Sequence, residues 1–134
     1  NTPAQHILLE FIRQGLLDRQ IQENIEFYRA KRDFMLAQMD RHFPREATWS
    51  RPRGGFFIFV KLPKNMDAGE LFRRAVDKDV AFVTGQPFFV DGSGHNTFRL
   101  SYSQVGEADI EAAIRVIGNL IKDGLAGPKP DSVD

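Results

Sequence analysis

The chain has 134 residues and a mass of 15.3 kDa, with 42% hydrophobic and 27% charged residues. That is the make-up of one globular domain rather than a disordered segment. Its 18 basic and 18 acidic residues cancel, which argues against a protein that holds polyanions by bulk charge. Cysteine is absent, so a disulfide framework, a thiolate zinc site and a cysteine nucleophile are excluded. No apolar run approaches the roughly 18 residues of a membrane helix. The polar opening Asn1-Thr2-Pro3 is unlike a signal peptide, so a cytoplasmic protein is expected. The first residue is not Met, so a fragment of a longer protein is also expected.

Residues 1–47 read as helix. Ile7, Leu8, Phe11 and Ile12 recur at helical spacing, and Gly15 ends or bends that helix. A second stripe follows at Ile21, Ile25, Tyr28, Met35, Leu36 and Met39, with Phe27 and Phe34 on another face. Two apolar faces predict a helix packed on two sides. It is either a central core helix or a bridge to something outside the domain. Phe56-Phe57-Ile58-Phe59-Val60 is aromatic and β-branched, which predicts a strand buried on both faces and stopped by Pro63. Asp67 with Glu70 three residues on has the pattern of a helix-capping box. Leu71, Phe72, Ala75 and Val76 continue it as one helical stripe.

Val80–Val83 reads as a second short strand, and Asp91-Gly92-Ser93-Gly94 as a turn. Phe98, Leu100 and Tyr102 alternate with Arg99, Ser101 and Ser103, the period-2 mark of a third strand. Residues 106–123 read as a closing helix carrying Ile110, Ala113, Ile114, Ile117 and Ile121. Val105 and Ile110 form a hydrophobic staple around Gly106, and Gly124 is expected to cap the far end. Residues 126–134 read as a frayed or disordered tail. This order predicts an α+β fold, a small and mainly antiparallel sheet with helices packed on one face.

Few residues suggest chemistry. His6, His42 and His95 are isolated, with no partner at metal-ligand spacing, so no metal site is expected. Ser101 and Ser103 lack the surroundings of a nucleophilic serine, and Asp91-Gly-Ser-Gly is too short for a calcium loop. Two features remain. In Arg53-Gly54-Gly55-Phe56-Phe57-Ile58-Phe59-Val60, paired glycines let another group approach the backbone closely. The run partly imitates the RNA-contacting motif of RRM domains, but Gly55 and Phe56 are misplaced for it. A buried strand entered by a glycine bend is the plainer account. Arg99 is either an arginine on the wet face of a strand or an anion receptor, because a guanidinium offers a planar fork matched to a carboxylate.

Several longer stretches share one pattern. They are Asn1-Thr2-Pro3-Ala4-Gln5, Tyr28-Arg29-Ala30-Lys31-Arg32-Asp33 and Trp49–Pro63, followed by Val80–Phe89 and Asn96-Thr97-Phe98-Arg99-Leu100-Ser101-Tyr102-Ser103. In this order and spacing they resemble the C-terminal part of fold-type I, class I/II pyridoxal-phosphate-dependent aminotransferases. The likeness is greatest to the branch of 2-aminoadipate-type transaminases and the aminotransferase-like half of MocR-type regulators. It runs from about Thr2 to Leu125, with Thr84 standing where relatives commonly carry Pro.

The resemblance implies a small domain over residues 48–125, preceded in residues 1–47 by helices that include a long interdomain helix. It implies that Arg99 pairs with the substrate α-carboxylate, and that Gly54 and Gly55 pass close to the substrate side chain. It also implies pyridoxal 5′-phosphate as the cofactor of the full-length protein. Further implications are amino acid and 2-oxo acid substrates, an upstream large domain in the same polypeptide and a homodimer, without nucleic acid or membrane. The family's Schiff-base lysine lies upstream in a Ser-rich segment. None of the chain's lysines (Lys31, Lys61, Lys64, Lys78, Lys122 and Lys129) has that setting. No catalytic or cofactor-binding residue is therefore expected within the chain, and it is expected to be inactive alone. Two other readings stand beside this one: the effector domain of a MocR-type regulator, and a free-standing binding module with a ferredoxin-like βαββα core.

Overall fold

A computed structural model describes residues 1–127 of the chain. Two helices open it, α1 at Thr2–Arg13 and α2 at Leu16–His42. Gly15 separates them with a φ of 71°, a left-handed conformation that glycine adopts without steric cost. The sheet then alternates with shorter helices. Its elements are β1 at Thr48–Trp49, β2 at Phe57–Lys61, α3 at Ala68–Val76, β3 at Val83–Thr84, β4 at Thr97–Ser101 and α4 at Glu107–Leu125. A single 3₁₀ turn spans Gln86–Phe88.

The four strands lie in the order β1-β2-β4-β3, every neighbour antiparallel. Within β2-α3-β3-β4-α4, the last strand sits between the first two, the split arrangement of a ferredoxin-like unit. Register decides which side chains meet. Ile58 faces Leu100 and Val60 faces Phe98, and all four are buried. They pack with Met35, Leu36 and Met39 of α2, Leu71 and Ala75 of α3, and Ile110, Ile114, Ile117 and Ile121 of α4. The helices therefore cover one face of the sheet. Each large side chain removed from water there contributes roughly 1.5–3 kcal/mol.

Local signals set several elements. The Asp67 side chain accepts a hydrogen bond from the Glu70 backbone N–H at 2.9 Å, so the expected N-cap of α3 is formed. Val105 and Ile110 both pack into the core on either side of Gly106, as a staple requires. At Gly118 an added Cβ would stand 2.5 Å from the His42 carbonyl oxygen. This glycine lets α4 cross close against the end of α2.

Four expectations are corrected. β2 is buried on one face only: Ile58 and Val60 point inward, whereas Phe57 and Phe59 stay 41% and 39% exposed. An unbroken apolar run carries no periodicity, so it cannot show whether one face or two are covered. The strand expected at Val80–Val83 pairs only at Val83–Thr84. The preceding turn has Asp79 at a φ of 59°, and the Val80 N–H returns to the Ala75 carbonyl, so pairing starts late. Phe82 instead enters the core, between Phe72 and Phe98.

Gly124 does not cap α4, which continues to Leu125. Its lack of a side chain admits Met66, whose methyl would lie 2.8 Å from an added Cβ. Lastly, α2 is not packed on two sides among the described residues. Phe27 is 54% exposed, and the buried residues of the helix, Met35, Leu36, Gln38 and Met39, all lie in its last third. β1 was not anticipated; it joins the sheet through Thr48 and Trp49 opposite Lys61 and Val60. The expected tail lies mostly outside the described residues.

Candidate functional site

Arg99 sits in the middle of β4, opposite Phe59 on β2 and Val83 on β3. Its neighbours Phe98 and Leu100 point into the core. Arg99 therefore projects from the opposite, helix-free face of the sheet, which it shares with Phe57 and Phe59.

Two aromatic rings lie against its guanidinium. The guanidinium carbon is 4.2 Å from the Phe57 ring centroid and 4.6 Å from that of Phe88. Phe57 is the diagonal neighbour on β2, and Phe88 comes from the 3₁₀ turn after β3. Phe88 also meets Phe59 edge to face, with centroids 6.3 Å apart. The Arg99 Nε is buried with no hydrogen-bond partner, and the guanidinium makes no ion pair or hydrogen bond among the described residues. A guanidinium carries five N–H donors, and the neighbouring rings offer them no acceptor oxygen.

The turn bearing Phe88 is tied to β4. The Gly85 N–H donates to the Thr97 carbonyl at 2.7 Å, and the Thr97 hydroxyl donates to the Gly94 carbonyl at 2.7 Å. An added Cβ on Gly85 would lie 1.9 Å from the Thr97 Oγ1, so only glycine fits there. At the loop's far end, the Asp91 carboxylate accepts from the Ser93 hydroxyl and N–H at 2.6 and 3.0 Å. Those bonds, the hydroxyl first, hold its pKa below the ordinary carboxylate value.

Gly54 and Gly55 enter β2 on the other side. Gly55 has a φ of 82°, which demands glycine, and nothing lies within 4 Å of an added Cβ at either position. Their backbone is therefore open to an approaching group. The Gly55 carbonyl accepts a 2.6 Å hydrogen bond from the Tyr102 hydroxyl, which fixes the bend to the end of β4. Burial pushes the Tyr102 pKa up, against a lowering pull from Arg32 and with a smaller push from Asp33.

The expected site residues fall into two recesses. Gly54 and Gly55, with Ile21, Ile25, Tyr28 and Arg53, line a cavity of about 300 Å³ between the bend and α2. Arg99, with Phe57, Val83 and Ser101, lines a mainly apolar groove of about 630 Å³ that runs past the segment leading into the edge strand β3, toward α4. β2 joins them, since Phe56 lines the first and Phe57 the second. Sequence reasoning passed over Phe88, although it lies in one of the stretches that carried the resemblance. His6 and His95 are exposed, and no cluster of three metal-ligating side chains occurs among the described residues.

The chain is 40% identical over 122 residues to the 2-aminoadipate transaminase of Thermus thermophilus, a match covering 91% of this chain and 30% of that protein. It superimposes on the crystal structure of LysN, an alpha-aminoadipate aminotransferase from Thermus thermophilus complexed with N-(5′-phosphopyridoxyl)-L-leucine. The TM-score is 0.79 and the identity 41%, over 87% of this chain and 30% of that one. The chain is the counterpart of the C-terminal portion of class I aminotransferases. This aminotransferase C-terminal portion also matches YdfD of Bacillus subtilis, an uncharacterized HTH-type transcriptional regulator. That identity is 25% over 120 residues, covering 90% of the chain and 24% of YdfD. No protein-family model matches it. It spans about 30% of the length of the first two of these relatives.

No lysine among the described residues has the setting that a pyridoxal phosphate site requires. Such a site needs a lysine amine that is desolvated and free to attack a carbonyl. Along the Arg99 groove the one lysine is Lys78, which is exposed. The Lys31 ammonium is committed to the carbonyls of Ser103 and Val105, at 3.2 and 2.8 Å. What the arrangement offers is a guanidinium set between two aromatic rings on the helix-free face of the sheet.

Proposed function

We propose that this chain serves as the C-terminal domain of a pyridoxal-phosphate-dependent aminotransferase that moves an amino group between an α-amino acid and a 2-oxo acid. Arg99 receives the substrate α-carboxylate, and the open Gly54–Gly55 backbone passes the substrate side chain. The Schiff-base lysine and the phosphate contacts come from an upstream large domain of the same polypeptide, in a cytoplasmic homodimer. The cofactor supplies the electron sink for Cα chemistry. This domain supplies orientation, which alone governs a large part of such a barrier.

One observation supports this above the rest. Arg99 is an arginine without an anion, presented from a strand in a chain similar to aminotransferases. A strand aims a side chain more accurately than a loop does. The RNA-binding reading loses support at the same place. Bases stack on free ring faces, and the Phe57 and Phe88 rings already lie against Arg99.

The test is kinetic, in the assembled enzyme. Arg99→Ala removes a charged bidentate contact, and kcat/KM for amino acids falls by about 30-fold to several thousand-fold. Arg99→Lys recovers little, because a point charge lacks the fork. Normal kinetics in both variants would remove Arg99 from the role. The 134-residue chain alone retains no cofactor absorbance after desalting and shows no turnover; specific turnover by it would refute the division of labour. The second reading, an effector domain in a MocR-type regulator, is favoured by the match to YdfD. A winged-helix segment in the same polypeptide and ligand-dependent DNA binding would select it.

A further inference from the structure

The aromatic surroundings of Arg99 point beyond its role as a receptor. The guanidinium leaves β4 on an exposed sheet face, where a free arginine side chain samples many rotamers. No hydrogen bond or ion pair among the described residues orients it. Two ring contacts do, at 4.2 Å from Phe57 and 4.6 Å from Phe88. A cation over a ring face is held by the ring quadrupole, and more strongly where water is excluded.

The rings come from independent supports. Phe57 is fixed by the β2–β4 ladder. Phe88 is fixed by a turn that Gly85 and Thr97 lock to the same strand, and Phe59 braces its ring. The buried Nε shows that the inner part of the guanidinium is already dry.

We infer that Phe57 and Phe88 are positioning residues that clamp the Arg99 guanidinium and present its remaining N–H groups to an incoming carboxylate. The clamp removes rotamer freedom before binding and replaces water around the cation with ring faces. Both effects strengthen a charge-assisted pair without adding a contact to the ligand. This rests on the carboxylate role proposed for Arg99, but it is tested separately.

The experiment uses the 134-residue chain labelled with ¹⁵N-arginine. The Arg99 Nε–Hε resonance is followed while sodium acetate is added at constant ionic strength, with acetamide as the neutral control. In the wild type, acetate shifts this resonance along a binding curve and acetamide does not. Phe88→Leu and Phe57→Leu each weaken acetate binding by about 3- to 10-fold. Phe88→Tyr, which keeps the ring, restores it. Unchanged dispersion of the β4 amides shows that each variant is folded, and the tyrosine rescue separates ring chemistry from general packing.

Equal acetate affinity in the wild type and both leucine variants would overturn the clamp. So would an Arg99 resonance that ignores acetate in the wild type, or a leucine variant rescued no better by tyrosine than by a second aliphatic residue. The parent reading fails on different data, namely normal amino acid kinetics for Arg99→Ala in the assembled enzyme. Either result can occur without the other.

Discussion

The N-terminal helices and the sheet-bearing body spend their apolar residues in opposite ways. α1 buries none of its side chains, and Ile7, Leu8 and Ile12 remain exposed. On α2, Ile21 and Ile25 stay exposed too, whereas Met35, Leu36 and Met39 on the same helix are buried beneath the sheet. Helical periodicity is equally clear in both halves. Amphipathic spacing shows that a face wants cover, and only the neighbours decide whether it gets any within the chain. Such an apolar stripe along α1 and the first half of α2 is the kind of surface that marks an interaction site. It suits contact with a large domain, as the proposed function requires.

The sharpest way to break this contrast is to empty one position in each region. Phe98 is fully buried between Phe82 and the helices, so Phe98→Ala costs about 3–5 kcal/mol in urea denaturation. Ile7 is 72% exposed, so Ile7→Ala shifts stability by no more than about 0.5 kcal/mol. A comparable loss at both sites would show that α1 is packed in solution.

A smaller effect separates the body from the turn that carries Phe88. Gly85→Ala drives a methyl into Thr97, at a cost of about 1–3 kcal/mol. Faster hydrogen exchange should concentrate in β3 and β4 rather than in α2. Uniform acceleration across the molecule would count against a local lock.

The smallest expected effect concerns the bend at Gly55. Tyr102→Phe removes one hydrogen bond to the Gly55 carbonyl, at a cost of about 0.5–1.5 kcal/mol. It also changes the alkaline limb of the stability curve. The folded-state pKa of Tyr102 is raised, so the neutral phenol is favoured by folding. Its contribution is fully present below the unfolded value of about 10 and is lost as pH rises through the folded value. Wild-type Tm therefore falls more steeply than that of the Phe variant above about pH 10. Parallel curves would show that burial of the hydroxyl is unimportant.

The sequence by itself determined what depends on one or two turns of chain. The Asp67 cap, the break at Gly15, the staple around Gly106 and the inward set Phe98, Leu100 and Tyr102 follow from near neighbours and from regular spacing. The α+β class followed from the order of those elements. It also singled out Arg99, because an arginine alternating with core residues must leave the sheet on the other side.

Tertiary structure decided the rest. Phe57 lies 42 positions from Arg99 and Phe88 lies 11, and no local pattern says that both rings meet one guanidinium. Gly118 carries no signal in the sequence and Gly124 reads as a helix cap, until His42 and Met66 are seen against them. The five apolar residues from Phe56 to Val60 look alike in a line. Helices cover one side of β2 and leave the other open, and that difference separates its core from its candidate site. Spacing along a chain fixes which residues share a face, whereas the role of that face depends on segments tens of residues away.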